Sequence, residues 1–480
     1  MNIEFFKMVA SAAFSNPFSE ERIAIDRRIV GADETVGWTA MLDPLLGRLE
    51  ENIQALRESG GVAIDRDGGE DVRAIGISIL FHVYHRYTTR FDALIEEQVD
   101  AGDASCRAPF ASECMNELAG YGFSRPEACR YVGIFYQIRR AYYFISKGLV
   151  GESPGMRRLR ARLWENVFTH EIAWYERSLW NRMEDFSTLL LGETGTGKGA
   201  AAAAIGRSGF IPYDPKTQTF AESFTRAFVS INLSQYPETL IESELFGHRK
   251  GAFTGAVEKH EGIFARCSPH GAIFLDEIGD VRVPVQIKLL QVLQERTFSP
   301  VGSHERLRFS GRVIAATNHP MDVLRGEGRF RDDFFYRLCS DIITMPPLRQ
   351  RIREMPRELD MLATHLMHRI CGPEVGMPVV ERLKEQVGRN YAWPGNVREL
   401  EQAIRRIIVS GSYEGDHATK NGNGVSLERA VEGRTLTAKE LVERYCCELY
   451  ETYRNYGEVA RRTGLDWRTV KKNVQQKSPS

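Results

Sequence analysis

One glycine-rich segment constrains the fold of this chain more than any other feature. It follows the apolar run STLLL, precedes the alanine-rich run GAAAAAIG, and consists of Gly192, Glu193, Thr194, Gly195, Thr196, Gly197 and Lys198. Glycines allow backbone N–H groups to turn inward around phosphate oxygens, a helix N-terminus adds positive potential, and the lysine neutralises the outer phosphates. The segment therefore predicts a strand, a phosphate-binding loop and a helix that together bind a nucleotide.

A second apolar run, GAIFLDE, ends in two carboxylates, Asp276 and Glu277. Phosphate-binding loops usually place Ser or Thr after the lysine as a magnesium ligand, but here that position is Gly199. We expect Asp276 to hold Mg²⁺, directly or through water, and Glu277 to orient and deprotonate the attacking water. Solvated acids at a strand end would be the simpler interpretation without the phosphate-binding loop upstream.

The pattern of apolar residues divides the chain into regions with different predicted secondary structure. Residues 1–148 carry apolar residues at helical spacing, and from Ser187 short apolar runs alternate with longer helical stretches. The five runs are STLLLG, AFVSIN, GAIFLDE, SGRVIAATN and DIITMPP. This alternation predicts a parallel sheet covered by helices. Residues 348–411 are predicted to be helical. Residues 412–434 are polar and contain several glycines, which is typical of a flexible linker. Residues 435–480 are predicted to form a small helical module.

Charge and cysteine content restrict the possible partners and location. Across 480 residues, 63 Lys and Arg balance 64 Asp and Glu, so any nucleic-acid contact must be local. Eight cysteines form no CxxC pair, which fits reduced thiols better than a disulfide framework. No 18-residue apolar run exists, and the N-terminus is a poor signal peptide. We expect a cytoplasmic protein without membrane contact.

Two further motifs lie between the carboxylate pair and the phosphate-binding loop. ESELFGH, at residues 242–248, leads into GAFTGA, which comprises Gly251, Ala252, Phe253, Thr254, Gly255 and Ala256. Together they resemble the signature of sigma-54-dependent transcriptional activators, the NtrC-type bacterial enhancer-binding proteins, which are AAA+ ATPases. The resemblance covers residues 149–411, through IFLDEIGD, AATN, FRDDFFYRL and WPGNVRELEQAI, and does not cover residues 1–148.

The resemblance implies roles for residues around the nucleotide. Asn232, in VSIN, matches the asparagine that holds the catalytic glutamate until the GAFTGA loop engages sigma-54. Asn318, in AATN, matches sensor I, which reports the γ-phosphate, and Arg398, in GNVREL, matches sensor II on the helical lid.

Two arginines in FRDDFFYR, Arg331 and Arg337, match arginines presented to the nucleotide of a neighbouring subunit. Guanidinium groups stabilise the charge of a transferring phosphoryl group well. Catalysis across an interface implies a homo-oligomeric ring, which the resemblance suggests is a hexamer.

The chain also departs from the family pattern. The family usually has Glu at Gly199 and Cys-Ala-Ala at residues 233–235, where this chain has Leu-Ser-Gln. Residues 164–186 and the segment SGFIPYDPKTQTFAESFTRA, after the loop helix, are longer than the family norm. None of these departures removes a residue needed for hydrolysis. They leave open how tightly the chain binds nucleotide and how neighbouring subunits contact each other in the ring.

The C-terminal tail resembles the Fis-like helix-turn-helix at the end of these activators. A first helix is expected to end near Thr463, Gly464 to supply the turn, and a second helix to start at about Asp466. Residues 457–477 contain six Lys or Arg and two acids, a local charge of +4. The expected DNA contacts are Arg461, Arg468, Thr469, Lys471 and Lys472. A solvated helical hairpin is the alternative interpretation.

The first 148 residues match no receiver, PAS or GAF pattern, and the sequence does not indicate which signal they sense. His82 and His85 lie three residues apart in an aromatic stretch. They could be metal ligands, but packing residues are the favoured interpretation.

The sequence thus predicts an α/β AAA+ P-loop core with a helical lid, a helical N-terminal domain and a C-terminal helix-turn-helix. The predicted domains are a regulatory or partner domain, 1–148; an AAA+ α/β subdomain, 149–347; a lid, 348–411; a linker, 412–434; and a DNA-binding domain, 435–480. With ATP and Mg²⁺, the chain is expected to remodel sigma-54 RNA polymerase holoenzyme while bound to double-stranded DNA upstream of a promoter. The alternatives are a DNA-binding regulator that does not use sigma-54 and an AAA+ remodeller of another protein.

Overall fold

A computed structural model describes residues 2–33, 38–58, 69–372, 378–387, 391–413, 437–453 and 455–475. The chain divides into two units, Met1–Gly411 and Ser412–Ser480. Residues 414–434 of the predicted linker lie outside the described residues. Among the helices of the described part, none is long and apolar enough to cross a membrane.

The first part of the larger unit is helical, as the apolar spacing predicts. Its helices are α1 (Ile3–Phe14), α2 (Glu20–Val30), α3 (Trp38–Glu58), α4 (Glu70–Ala101), α5 (Pro109–Gly120) and α6 (Arg125–Gly148). Helix α6 begins with a capping box, in which Ser124 and Glu127 satisfy each other's backbone N–H groups. Long α4 and α6 bury aromatic faces such as Phe91 and Tyr136 against one another.

A five-stranded parallel sheet forms the centre of the remaining chain of this unit. The strands are β1 (Thr188–Leu191), β2 (Tyr213–Asp214), β3 (Thr219–Phe220), β4 (Phe228–Asn232), β5 (Ala272–Asp276), β6 (Thr297–Phe298), β7 (Leu307–Arg308), β8 (Arg312–Thr317) and β9 (Asp341–Thr344). The order in the sheet is β4-β5-β8-β1-β9, and β2–β3 and β6–β7 are separate hairpins. The five predicted strands are confirmed. Because all five are parallel, the residues that follow β1, β5 and β8 reach the same edge.

Helices cover the sheet and form the lid. Around the sheet lie α7 (Pro154–Phe168), α8 (Ile172–Trp174), α9 (Lys198–Gly206), α10 (Glu238–Phe246), α11 (Ile263–Arg266), α12 (Val283–Glu295), α13 (Met321–Gly326) and α14 (Asp332–Leu338). The lid consists of α15 (Leu348–Glu354), α16 (Glu358–Cys371), α17 (Pro378–Val387) and α18 (Asn396–Ser410).

A buried ion pair anchors the lid to the chain that enters the α/β core. Arg351 and Glu358 are 3% and 0% exposed, and their side chains lie 2.7 Å apart. Glu358 also accepts the backbone N–H groups of Glu152 and Ser153, at 2.7 and 3.0 Å. A buried charge needs such compensation, so this contact fixes where the lid begins.

The long segment after α9 joins the helical domain to the α/β core. Its residues Ile211, Tyr213, Phe220 and Phe224 belong to the same buried apolar cluster as helices α1, α4 and α6. Arg140 of α6 is fully buried and donates to the carbonyls of Arg207 and Gly209, each at 2.7 Å, directly beyond the end of α9. The helical domain is therefore packed onto the far end of the phosphate-loop helix.

The smaller unit contains three described helices, α19 (Ala438–Tyr453), α20 (Tyr456–Thr463) and α21 (Trp467–Gln475). Cys446, Val459 and Val470, one from each helix, form its core. Asn455 caps the start of α20, and Gly464, with φ of +72°, ends it. These bounds agree with the helix ends expected from the sequence.

Candidate nucleotide site

The loop between β1 and α9 has the backbone conformation that a phosphate cradle requires. Gly195 and Gly197 have φ of +78° and +99°, a region that favours glycine. A Cβ on Gly195 would also collide with the carbonyl oxygen of Gly395 in the lid. Only glycine at this position allows the lid and the loop to meet.

Lys198 begins α9 and is almost fully buried. Its ammonium group donates to the carbonyls of Gly192 and Glu193, at 2.7 and 3.4 Å. Burial lowers the pKa of Lys198, and the carboxylates of Glu277 and Asp276 act in the opposite direction. The lysine thus lies within the field of both acids, where it can neutralise phosphate charge.

The carboxylate that follows β5 is tied to the phosphate loop by a residue after β8. Asn318 donates its backbone N–H to Glu277 Oε2 at 3.2 Å and its side-chain amide to Thr194 Oγ1 at 3.1 Å. Glu277 is held in a left-handed conformation, with φ of +55°, which non-glycine residues adopt at a cost. The structure therefore brings three predicted site elements together at one edge of the sheet.

Asn232 occupies the end of β4, beside Asp276 and not bonded to Glu277. Its amide donates to Asp276 Oδ2 at 3.2 Å, and its oxygen accepts the N–H of Ser234 at 3.0 Å. The predicted contact between Asn232 and Glu277 is absent from the described structure, and the role of Asn232 stays a prediction.

The side chains at this edge fit a magnesium ion bound together with a nucleotide. Asp276 supplies a carboxylate at the end of its strand, whereas the hydroxyl of Thr196 is buried and donates to Glu193 O at 2.7 Å. A Cβ at Gly199 would meet nothing within 4 Å. Within the described residues, no group of three or more His, Cys, Asp or Glu is arranged to hold a metal. Asp276 would hold Mg²⁺ with phosphate oxygens and water as the remaining ligands.

The lid contributes a residue that sequence reasoning missed. Asn396 is completely buried and has φ of +53°. It accepts the N–H of Leu348 at 2.8 Å and donates to the carbonyl of Thr194 at 3.0 Å and to Glu193 Oε2 at 3.2 Å. Asn396 therefore bonds the first lid helix and the phosphate loop at once. The signal in the sequence was its position in GNVREL, two residues before Arg398.

Two lid arginines flank this contact. Arg349, also missed, forms two hydrogen bonds to the carboxylate of Glu193, at 2.7 and 2.5 Å. The predicted sensor Arg398 lies exposed on the first turn of α18, and its charge acts to lower the pKa of Lys198. A Cβ on Gly195 would lie 2.9 Å from the Cβ of Arg398, so Arg398 begins directly against the phosphate loop.

The two arginines predicted to act on a neighbouring subunit lie at α14, with partners other than the phosphate loop. Arg331 forms hydrogen bonds to the carboxylate of Asp333, at 2.9 and 2.6 Å, which raise the pKa of its guanidinium group. Arg337 donates to the carbonyl of Leu293 at 3.0 and 2.8 Å. Their predicted role across an interface stays a prediction.

The GAFTGA segment forms a closed turn between α10 and α11. Gly251 donates to Ala256 O at 2.8 Å, and Ala256 donates to Phe253 O at 3.0 Å. Phe253 and Thr254 at its tip are exposed, and the Phe253 ring lies 4.9 Å from that of His248. The tip of the GAFTGA turn is therefore accessible to another protein.

The sheet order, the glycine-rich loop, the paired strand-end acids and the helical lid define an α/β AAA+ P-loop protein. The family description "Sigma-54 interaction domain" matches residues 175–344, and "AAA+ ATPase lid domain" matches residues 353–416.

Curated relatives match over the same region. The DNA-binding transcriptional regulator NtrC of Azospirillum brasilense is 37% identical over 272 residues, 55% of this chain and 49% of the relative. The Nif-specific regulatory protein of Azotobacter vinelandii is 39% identical over 271 residues, 56% of this chain and 46% of the relative. The transcriptional regulatory protein ZraR of Klebsiella oxytoca is 36% identical over 333 residues, 67% of each.

The chain belongs to the sigma-54-dependent transcriptional activators, and the resemblance predicted from its motifs is confirmed. It spans about half the length of the first two relatives named above.

Proposed function

We propose that the chain is an ATPase that activates transcription by remodelling sigma-54 RNA polymerase holoenzyme. The observation that carries the proposal is the pair of bonds from Asn318 to Thr194 and Glu277. These bonds link the phosphate loop to the proposed catalytic acid, so the state of the γ-phosphate and the position of the acid are coupled.

Each residue of the site has a distinct part in the proposed chemistry. The loop N–H groups and Lys198 bind the phosphates, and Asp276 would hold Mg²⁺, which when bound would neutralise charge on the transferring group. Glu277 orients the attacking water and accepts its proton, while Asn318 fixes the position of the Glu277 carboxylate. Arg398 stabilises phosphoryl charge from the lid.

We further propose that the ATPase is a homo-oligomeric ring, hexameric by family resemblance. Arg331 and Arg337 are bonded away from the phosphate loop of their own chain. They can serve as catalytic arginines only when a neighbouring copy presents its nucleotide to α14. Hydrolysis would then move the exposed Phe253–Thr254 tip against sigma-54.

The C-terminal unit is proposed to be a helix-turn-helix that binds double-stranded DNA upstream of the promoter, with α21 as its recognition helix. Arg468, Thr469, Lys471 and Lys472 are all exposed on α21, as groove and phosphate contacts must be. Arg461 is exposed on α20 and paired with Glu458 at 2.7 Å, so it must exchange that partner for a phosphate. All eight cysteines are free thiols, which supports a cytoplasmic location.

Transcription in vitro with sigma-54 holoenzyme and a promoter carrying an upstream site tests the proposal. The wild-type chain should form open complexes with ATP. Thr254→Ala should hydrolyse ATP but form no open complexes, because its side chain lies at the exposed tip and away from the phosphate loop. Glu277→Gln should bind ATP and lose both activities, by about 10²-fold or more in turnover.

Val257→Ala is the matched control, since Val257 is 72% exposed just beyond the loop, and it should retain both activities. Open complexes formed by both Thr254→Ala and Phe253→Ala would favour remodelling of a different protein. ATP-independent activation by Glu277→Gln would favour a DNA-binding regulator that does no work on sigma-54.

A further inference from the structure

A cavity of about 660 Å³ lies between the N-terminal helices and the first helices of the α/β core. Helices α1, α4 and α6 form much of its wall, and Trp164 and Phe168 of α7 and Ile172 of α8 complete it. Pockets that bind small organic molecules have volumes of about 300–1,000 Å³. The cavity is therefore large enough for such a ligand, and none of its lining residues belongs to the proposed nucleotide site.

The lining is dominated by aromatic and aliphatic side chains. The aromatic members include Phe81, Tyr84, Phe135, Tyr142, Trp164 and Phe168. Aliphatic side chains such as Leu42, Ile77, Leu80 and Ile138 fill the spaces between them. Burial of apolar ligand surface against such a wall is favourable by about 25 cal/mol per Å².

Three charged groups of the lining are compensated within the protein, and Arg177, which also lines the cavity, is exposed to solvent. Arg22 is paired with Asp26 at 2.9 Å and also donates to Ala12 O at 2.9 Å. Arg139 is paired with Asp92, and Glu176 with Arg130 at 2.9 Å. Because these three charges have partners, they need no charged ligand for compensation, and the mainly apolar wall favours a neutral ligand.

His85 offers a polar group to this apolar space. Its ring lies 4.3 Å from that of Phe81 and 4.9 Å from that of Tyr84. Burial lowers the pKa of His85 to about 3, so the imidazole is neutral at pH 7. Within the described residues, no hydrogen bond to its ring nitrogens is found. A neutral imidazole can donate one hydrogen bond and accept another.

We infer that this cavity is a binding site for an uncharged, largely aromatic small molecule with one hydrogen-bonding group, which His85 meets. The neighbouring His82 is buried in the helical domain. The two histidines therefore have different roles, although they lie only three residues apart. His82 packs within the helical domain, whereas His85 forms a hydrogen bond with the ligand.

The position of the cavity couples the ligand to the ATPase core. Trp164 and Phe168 share a buried cluster with Ala201, Ala202 and Ile205 of α9, the helix that begins at Lys198. A ligand that presses on α7 must therefore alter the packing of the phosphate-loop helix. By thermodynamic reciprocity, nucleotide must change the ligand's affinity by the same factor as the ligand changes the nucleotide's.

Binding of the neutral fluorophore N-phenyl-1-naphthylamine to the full chain tests the inference. Its two aromatic groups and single N–H match the cavity, and its emission rises in apolar surroundings. We expect saturable binding with one strong site per chain, weakened at least tenfold by Leu80→Trp, which fills the cavity. His85→Leu should weaken binding about fivefold, the net worth of one hydrogen bond.

Leu46→Trp is the matched control. Leu46 and Leu80 are both partly buried leucines packed on the same apolar cluster, but only Leu80 lines the cavity. Leu46→Trp should bind the probe like the wild type. If Leu80→Trp fails to give the wild-type circular dichroism spectrum, His85→Leu alone decides. Non-saturable binding, or wild-type affinity in the folded cavity variants, would overturn the site, and equal probe affinity with and without ADP would overturn the coupling. Neither result depends on sigma-54 or on ATP hydrolysis.

Discussion

Replacing Asn396 should separate the lid from the phosphate loop without touching a proposed catalytic residue. Its side chain makes three hydrogen bonds to the first lid helix and the phosphate loop, with Leu348 N, Thr194 O and the Glu193 carboxylate. At about 1 kcal/mol each, their loss costs about 3 kcal/mol. Because Asn396 has φ of +53°, alanine adds about 1 kcal/mol for a left-handed backbone. Glycine avoids that second cost.

These values predict that the alanine variant binds ADP more weakly than the glycine variant. If the loop conformation held by Asn396 is the one that binds phosphate, Asn396→Gly should weaken ADP binding by up to about 150-fold, since 1.4 kcal/mol is a factor of ten. Asn396→Ala should be weaker still, by up to about 700-fold on the same conversion. In an ordinary helical position glycine would be the more damaging of the two.

Fluorescence titration with a methylanthraniloyl derivative of ADP measures both variants directly. Arg405→Ala is the control, because Arg405 is exposed on the same helix and pairs with Glu401; it should change affinity less than twofold. ADP affinity within twofold of wild type for Asn396→Ala, in a protein with unchanged circular dichroism, would refute the reasoning.

Three further predictions follow from other contacts. Arg331→Ala and Arg337→Ala should each lower ATP turnover by about 10³–10⁵-fold, and mixing either with Glu277→Gln should restore activity at mixed interfaces; normal turnover in both single variants would remove these arginines from catalysis. Glu358→Gln should destabilise the lid by about 3–5 kcal/mol in urea unfolding, because Arg351 would be left buried without a counter-charge, whereas Glu96→Gln, in the exposed pair with Lys147, should cost less than about 1 kcal/mol. Lys471→Ala should weaken DNA binding on every sequence and reduce the salt slope by about one unit, whereas Arg468→Ala should reduce the preference for the cognate site by about 1–3 kcal/mol; equal behaviour on all sequences would show that Arg468 does not read bases.

The sequence predicted those parts of the fold that local patterns determine. Each of the five core strands is a short apolar run bounded by polar residues, because both faces of a parallel strand are buried. The phosphate loop was predictable because its glycines and lysine are contiguous. Glu277 and Asn318 were assigned separately, Glu277 from its position after an apolar strand and Asn318 by resemblance, and their contact follows from strand ends that share one edge of the sheet.

Features made by contacts between distant segments could not be predicted. Asn396 lies 202 residues from Thr194, whose carbonyl it binds, and nothing in its neighbours specifies that partner. Asn232 was expected at Glu277 by resemblance, yet its amide donates to Asp276. The two carboxylates are adjacent in sequence, so side-chain orientation alone decides between them. The cavity beside His85 arises from helices that are separate in sequence, and no local pattern records an empty volume.

The segment 208–227 was visible in the sequence only as an unusually long stretch, but its packing limits how the protein can be divided. Ile211, Tyr213, Phe220 and Phe224 are all less than 5% exposed because the N-terminal helices cover them. Cutting the chain at residue 148 would leave the ATPase with a bare aromatic and aliphatic surface, which promotes aggregation. Exchange of the first 148 residues with those of a relative lacking this segment would leave both partners with unmatched faces. Substitutions on either of these two packed faces should therefore be tolerated only when the other face changes to match.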